Sequence, residues 1–159
     1  MLLGKATIVK YNRQIFDIER QNTVNITSYE DLLKAANMQA TPQRMLFVFA
    51  EAELPGEHSK DQLERYQARK GGALTPVMCV DKLASEQNSF ATLAEESRQT
   101  GKSWDIVFVA CMDAKPGFKT DSEDTEKTLK SMVKSIQEGS ISNYLAFNQN
   151  GELIRLVAA

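Results

Sequence analysis

Acidic side chains follow three short apolar segments of the sequence, and they include most of its candidate ligand-binding residues. Glu51 and Glu53 follow residues 45–50, Asp81 and Lys82 follow residues 77–80, and Asp113 follows residues 106–111. Carboxylate oxygens are the ligands that Mg²⁺ and Mn²⁺ prefer, and such ions assist phosphoryl transfer and hydrolysis. If the segment ends meet, the residues suggest a small metal-assisted enzyme acting on a phosphorylated or carboxylated metabolite. The alternative is that these side chains simply enter solvent where strands end.

The only histidine of the chain, His58, lies in an acidic stretch between Glu51 and Asp61. A neutral imidazole beside carboxylates could help to bind a divalent ion or act as a base, although a histidine in an exposed loop is more often solvated. The sequence identifies no catalytic residue. Its candidate ligand-binding residues are Glu51, Glu53, His58, Asp81, Lys82 and Asp113.

The three apolar segments that precede these side chains are predicted strands. Each is short and rich in β-branched or aromatic residues, and helix-like segments separate them. Asn150-Gly151 lies between two further strand-like runs, which is a strong hairpin signal. The sequence therefore predicts an α/β fold with a single mixed β-sheet, three parallel central strands, helical crossovers and a C-terminal antiparallel hairpin. In open parallel sheets ligands bind beyond the carboxyl ends of the strands, so the acidic side chains are expected at one rim.

Four helices are predicted from capping signals and apolar stripes. Thr27 and Glu30 match a capping box for the first, and Ser59 and Gln62 match one for the second. The third covers about residues 86–99, and the fourth runs from residue 121 or 122 to about residue 138. The second is weakly anchored, since only Leu63 and Tyr66 are apolar on one face.

Length and composition indicate one globular domain. The chain has 159 residues, of which 42% are hydrophobic, and its formal net charge is −2, which gives no electrostatic reason to bind nucleic acid or a membrane. We expect a single α/β domain over residues 27–159 and an N-terminal arm or hairpin of uncertain order over residues 1–26. No signal peptide or membrane span is recognised. Cys79 and Cys111 lie in apolar runs and are expected to be buried, reduced thiols, which favours a cytoplasmic location.

The sequence leaves two hypotheses about function. The sequence contains no phosphate-binding loop, dinucleotide fingerprint, nucleophile elbow or zinc-spaced cysteine and histidine set. The charge-dense residues 51–72 could form a recognition loop. The favoured interpretation is therefore a non-enzymatic binding or accessory module without a cofactor, which binds a protein partner or a small anionic ligand. The alternative is the enzyme using Mg²⁺ or Mn²⁺.

Three stretches of the chain carry a resemblance to a known family. They begin at Arg44 (RMLFVFAEAELP), Gly71 (GGALTPVMCVDK) and Trp104 (WDIVFVA). Over about residues 27–157 the chain resembles a family of small proteobacterial proteins of uncharacterised function, some labelled "ribonucleotide reductase alpha subunit". That catalytic subunit needs a large barrel, a radical-bearing cysteine and a separate reducing cysteine pair, which this chain is too short to supply. The resemblance implies a bacterial cytoplasmic protein and assigns no functional residue.

Overall fold

The computed structural model describes residues 5–7, 26–54, 56–68, 71–114, 120–141 and 143–158. Within them lie seven strands and four α-helices. The strands are β1 (Lys5–Thr7), β2 (Gln43–Glu53), β3 (Gly71–Leu83), β4 (Ile106–Asp113), β5 (Leu145–Asn148), β6 (Leu153–Ile154) and β7 (Val157–Ala158). The helices are α1 (Tyr29–Asn37), α2 (Lys60–Gln67), α3 (Phe90–Arg98) and α4 (Thr120–Gln137). The predicted N-terminal arm or hairpin over residues 1–26, which is distinct from the segment named the arm below, lies outside the described residues apart from β1 and Ile26.

The described strands form one sheet in the order β6-β5-β4-β2-β3-β1-β7, and every neighbouring pair is antiparallel. The prediction of three parallel central strands is therefore wrong. β2 lies in the centre and runs against both β3 and β4. β3 and β4 consequently run in the same direction, but β2 separates them. The C-terminal antiparallel hairpin is confirmed, with β5 and β6 joined through Gly151 at φ 78°.

The error has a physical cause in α2. A helix that crosses from one parallel strand to the next must pack an apolar face against the sheet. None of the eight residues of α2 is buried. The helix therefore lies in the connection between two antiparallel neighbours, β2 and β3, and does not cover the sheet.

Alternate residues of the central strands pack into two separate cores, one on each face of the sheet. On the first face, Phe47 and Phe49 of β2 lie beneath α1 and α3. On the second, Leu46 and Val48 of β2 lie beneath α4. We call these the α1/α3 face and the α4 face. All four side chains are completely buried, and each contributes about 1.5–3 kcal/mol by leaving water.

The two ends of the sheet approach each other. β6 and β7 stand at opposite ends of the strand order, yet only residues 155 and 156 separate them. Three Cα steps span at most about 11 Å, whereas six strand spacings in a flat sheet span about 29 Å. The sheet must therefore be strongly curved. Leu156, in the connection, is buried in the α4-face core, so the sheet curves toward that face.

Candidate functional site

The antiparallel register separates the carboxylates that the sequence places after the strands. Glu51 and Glu53 pair with Thr75 and Ala73 near the last residues of β2. Asp81 pairs with Leu46, and Asp113 pairs with Gln43, and both partners lie near the first residues of β2. Leu46, the partner of Asp81, precedes Glu51 by five residues, which correspond to about 17 Å along β2. The expected convergence is therefore wrong, because antiparallel neighbours bring the end of one strand to the start of the next. No group of three potential metal ligands occurs within the described residues.

The separated side chains make contacts with neighbouring strands and helices. Asp81 forms an ion pair with Arg44 Nη1 at 2.8 Å, and Asp113 accepts a hydrogen bond from Gln43 Nε2 at 2.8 Å. Glu53 accepts a hydrogen bond from the Thr75 hydroxyl at 3.2 Å. Lys82 forms an ion pair with Glu96 of α3, and His58 lies exposed just before α2. These contacts join adjacent elements at different places on the surface.

The segment in which β2 and β3 continue past the end of β4 is the first candidate site. We call residues 51–75 the arm; it comprises the end of β2, helix α2 and the start of β3. The pairing of β2 with β4 stops at Ala50 and Ile106. There the Asp105 backbone N donates to Ala50 O at 2.9 Å, and the Asp105 carboxylate accepts from Ala52 N at 2.8 Å. Beyond this point β2 and β3 continue as a two-stranded ribbon, and β4 no longer pairs with β2.

Local interactions fix the helix of the arm. The Ser59 hydroxyl accepts from Gln62 N at 3.1 Å, and the Gln62 side chain accepts from Ser59 N at 2.9 Å, so the predicted capping box is confirmed. Tyr66 packs over Gly72, where a Cβ would lie 3.4 Å from Tyr66 Cδ1. An isolated helix of this length is marginal in water, so α2 depends on its cap and on its contacts with β3.

A buried hydroxyl on the α1/α3 face is the second candidate. Tyr29, the first residue of α1, is completely buried, and its hydroxyl has no hydrogen-bond partner among the described residues. Burial raises the Tyr29 pKa above its ordinary value, and the nearby Cys111 thiol raises it further. No sequence signal points to this site, because the apolar stripe of α1 accounts for Tyr29 without reference to its hydroxyl.

The two cysteines lie on opposite faces of the sheet. Cys79 pairs with Val48 and is exposed on the α4 face, so the expectation that it is buried is wrong. Burial of part of its surface still raises the pKa of the Cys79 thiol. Cys111 pairs with Met45, packs against the α1/α3-face core and is half-buried. β2 lies between the two strands that carry them.

Comparisons with known proteins add no relative. No family model, no curated protein and no solved structure matches the chain. Among the helices that the structure describes, none combines the length and the apolar character that a membrane crossing requires. The arm and the buried Tyr29 hydroxyl are therefore interpreted from their own geometry.

Proposed function

We propose that the protein is a non-enzymatic binding module that recognises a protein partner through its arm. The observation that supports this proposal is α2, a capped helix with no buried residue at the end of a ribbon that extends past β4. Segments with few buried contacts open at low free-energy cost, and binding surfaces are commonly drawn from them. Leu63 and Tyr66 are half-buried on one side of α2, which leaves its polar side available for contact.

Site-specific photo-crosslinking in the native host tests this proposal. A photoreactive residue at Gln67 of the arm should give one discrete protein adduct, because this exposed position lies on α2. The same residue at Lys127, exposed on α4, serves as the matched position and should not give that adduct.

A pair of charge-preserving swaps separates recognition by the arm from general surface charge. Glu64→Lys with Arg65→Glu changes α2, whereas Glu126→Lys with Lys130→Glu reverses an exposed ion pair of α4 that spans 3.3 Å. The adduct at Gln67 should disappear with the first swap and persist with the second. An adduct common to both helices, or one that survives the α2 swap, would contradict recognition through the arm.

A further inference from the structure

The unpaired hydroxyl of Tyr29 lies within an aromatic cluster. The Tyr29 ring centroid is 5.3 Å from that of Phe90, 5.8 Å from that of Phe147 and 6.3 Å from that of Phe47. Buried polar side-chain atoms are nearly always hydrogen-bonded. A buried hydroxyl without a protein partner is therefore a candidate donor to a ligand or to water.

Cys111 lies at the next position along this face. Val109 pairs with Phe47 and Cys111 pairs with Met45, so the side chain of Cys111 follows the Phe47 row on the α1/α3 face. Successive rows on one face are about 7 Å apart, which places Cys111 within two rows of the Tyr29 ring. The effect of the Cys111 thiol on the Tyr29 pKa agrees with this proximity.

The sheet provides access beside Cys111. β5 pairs with β4 only from Ile106 to Val109, so no described strand flanks residues 110–113 of β4 on that side. Cys111 is accordingly half-buried, whereas Val109, on the same face, is completely buried. The exposed part of Cys111 is therefore the side from which a small molecule would approach the thiol and the aromatic cluster behind it.

We propose that Tyr29 and Cys111 line one binding site for a small neutral ligand that carries a hydrogen-bond acceptor such as a carbonyl oxygen. The raised pKa of Tyr29 keeps its hydroxyl protonated, so it acts as a donor. The carboxylates of Glu30 and Glu96 also raise this pKa, and the same negative charge disfavours an anionic ligand. The surrounding phenyl rings favour an apolar body. This site is separate from the arm and goes beyond recognition of a protein partner.

Alkylation with iodoacetamide tests the site. In the Cys79→Ser protein Cys111 is the only thiol. Its thiolate sulfur bonds to the reagent's methylene carbon, the carbon–iodine bond breaks, iodide leaves, and the thiol proton passes to solvent. If the carbonyl oxygen binds at Tyr29 first, the alkylation rate should saturate with reagent concentration. Adding Tyr29→Phe should raise the half-saturation concentration roughly twofold to tenfold, which corresponds to one neutral hydrogen bond.

Two controls distinguish binding from a change in packing. The rate with 1-iodopropane, which lacks an acceptor oxygen, should be equal in Cys79→Ser with and without Tyr29→Phe. Unreactive acetamide should slow iodoacetamide competitively in the Cys79→Ser protein, a measurement that needs no change at Tyr29. Alkylation rates that are linear in reagent and equal with and without Tyr29→Phe would overturn the proposal, as would no competition by acetamide. Equal slowing of both reagents by Tyr29→Phe would also overturn it.

Discussion

Replacing Tyr29 with phenylalanine isolates the energetic cost of its buried hydroxyl. The substitution keeps the ring that packs against Phe47, Phe90 and Phe147 and removes an oxygen that has no partner among the described residues. An unsatisfied buried donor costs about 1–3 kcal/mol, so Tyr29→Phe should raise the free energy of unfolding by that amount. For a chain of this length, the melting temperature should rise by roughly 2–12 °C.

Urea and thermal unfolding of Tyr29→Phe and Tyr144→Phe measure the effect with an internal control. The Tyr144 hydroxyl donates to Ser135 Oγ at 3.3 Å and is half-buried. Its loss should therefore lower the free energy of unfolding by at most about 1.5 kcal/mol. A stability of Tyr29→Phe that is unchanged or reduced would show that the hydroxyl is satisfied in the folded protein. That result would remove the main argument for a ligand at this position.

Three further predictions concern a turn, the thiols and a helix start. Gly151→Ala should destabilise more than Gly101→Ala in urea unfolding. Both glycines have φ 78°, but only at Gly151 would a Cβ lie 2.9 Å from Phe90, so equal losses would exclude this contact as a cause. Mild oxidation should form no intramolecular disulfide between Cys79 and Cys111, because they face opposite sides of the sheet; a faster-migrating monomer on a non-reducing gel would refute this. Hydrogen bonds from Thr27 lower the Asp31 pKa below 3.8, so this carboxylate stabilises the protein at neutral pH, and the contribution is lost as pH falls through its folded pKa. The stability difference between wild type and Asp31→Asn should therefore shrink as pH falls below the ordinary Asp value of 3.8, and a difference that stays constant on acidification would contradict it.

Helical packing could be predicted from the sequence because its signals are local. Leu32 and Ala36 of α1 and Met132 and Ile136 of α4 recur at helical spacing, and all are buried as the stripes predict. The first helix nevertheless starts one residue later than its predicted capping box, because Ser28 is the N-cap and accepts from Asp31 N at 3.2 Å. Adjacent hydroxyl residues compete for this position, and sequence alone does not decide between them.

Strand direction was harder to predict because it depends on contacts between distant residues. Residues 45–50, 77–80 and 106–111 do form strands, but β2 and β3 extend well beyond the apolar segments. The extensions include charged residues such as Glu53 and Asp81, which pair with the neighbouring strand while their side chains contact Thr75 and Arg44. The prediction that the carboxylates converge was wrong for the same reason, because it required all three strands to end at one rim.

The absence of buried residues in α2 explains the error in topology and predicts that residues 54–72, the central part of the arm, can be removed. Because α2 buries no residue, the sheet should not need it for stability. Glu53 and Ala73 are paired across β2 and β3, so an Asn-Gly turn in place of residues 54–72 can join them directly. Shortening this connection reduces the entropic cost of closing it by about 2 kcal/mol, which offsets the loss of the pairing between β1 and Gly71 and Gly72.

The shortened protein should therefore unfold in one cooperative transition, with a free energy of unfolding within about 2 kcal/mol of the full chain. A matched variant with Leu46→Ala, in the α4-face core, should lose about 2–5 kcal/mol in the same urea titration. If the shortened protein is unfolded while Leu46→Ala is not, the arm stabilises the sheet. A structural role would then account for the arm without any partner. If it folds, the protein carries a segment that its sheet does not require, and recognition through α2 would account for that segment.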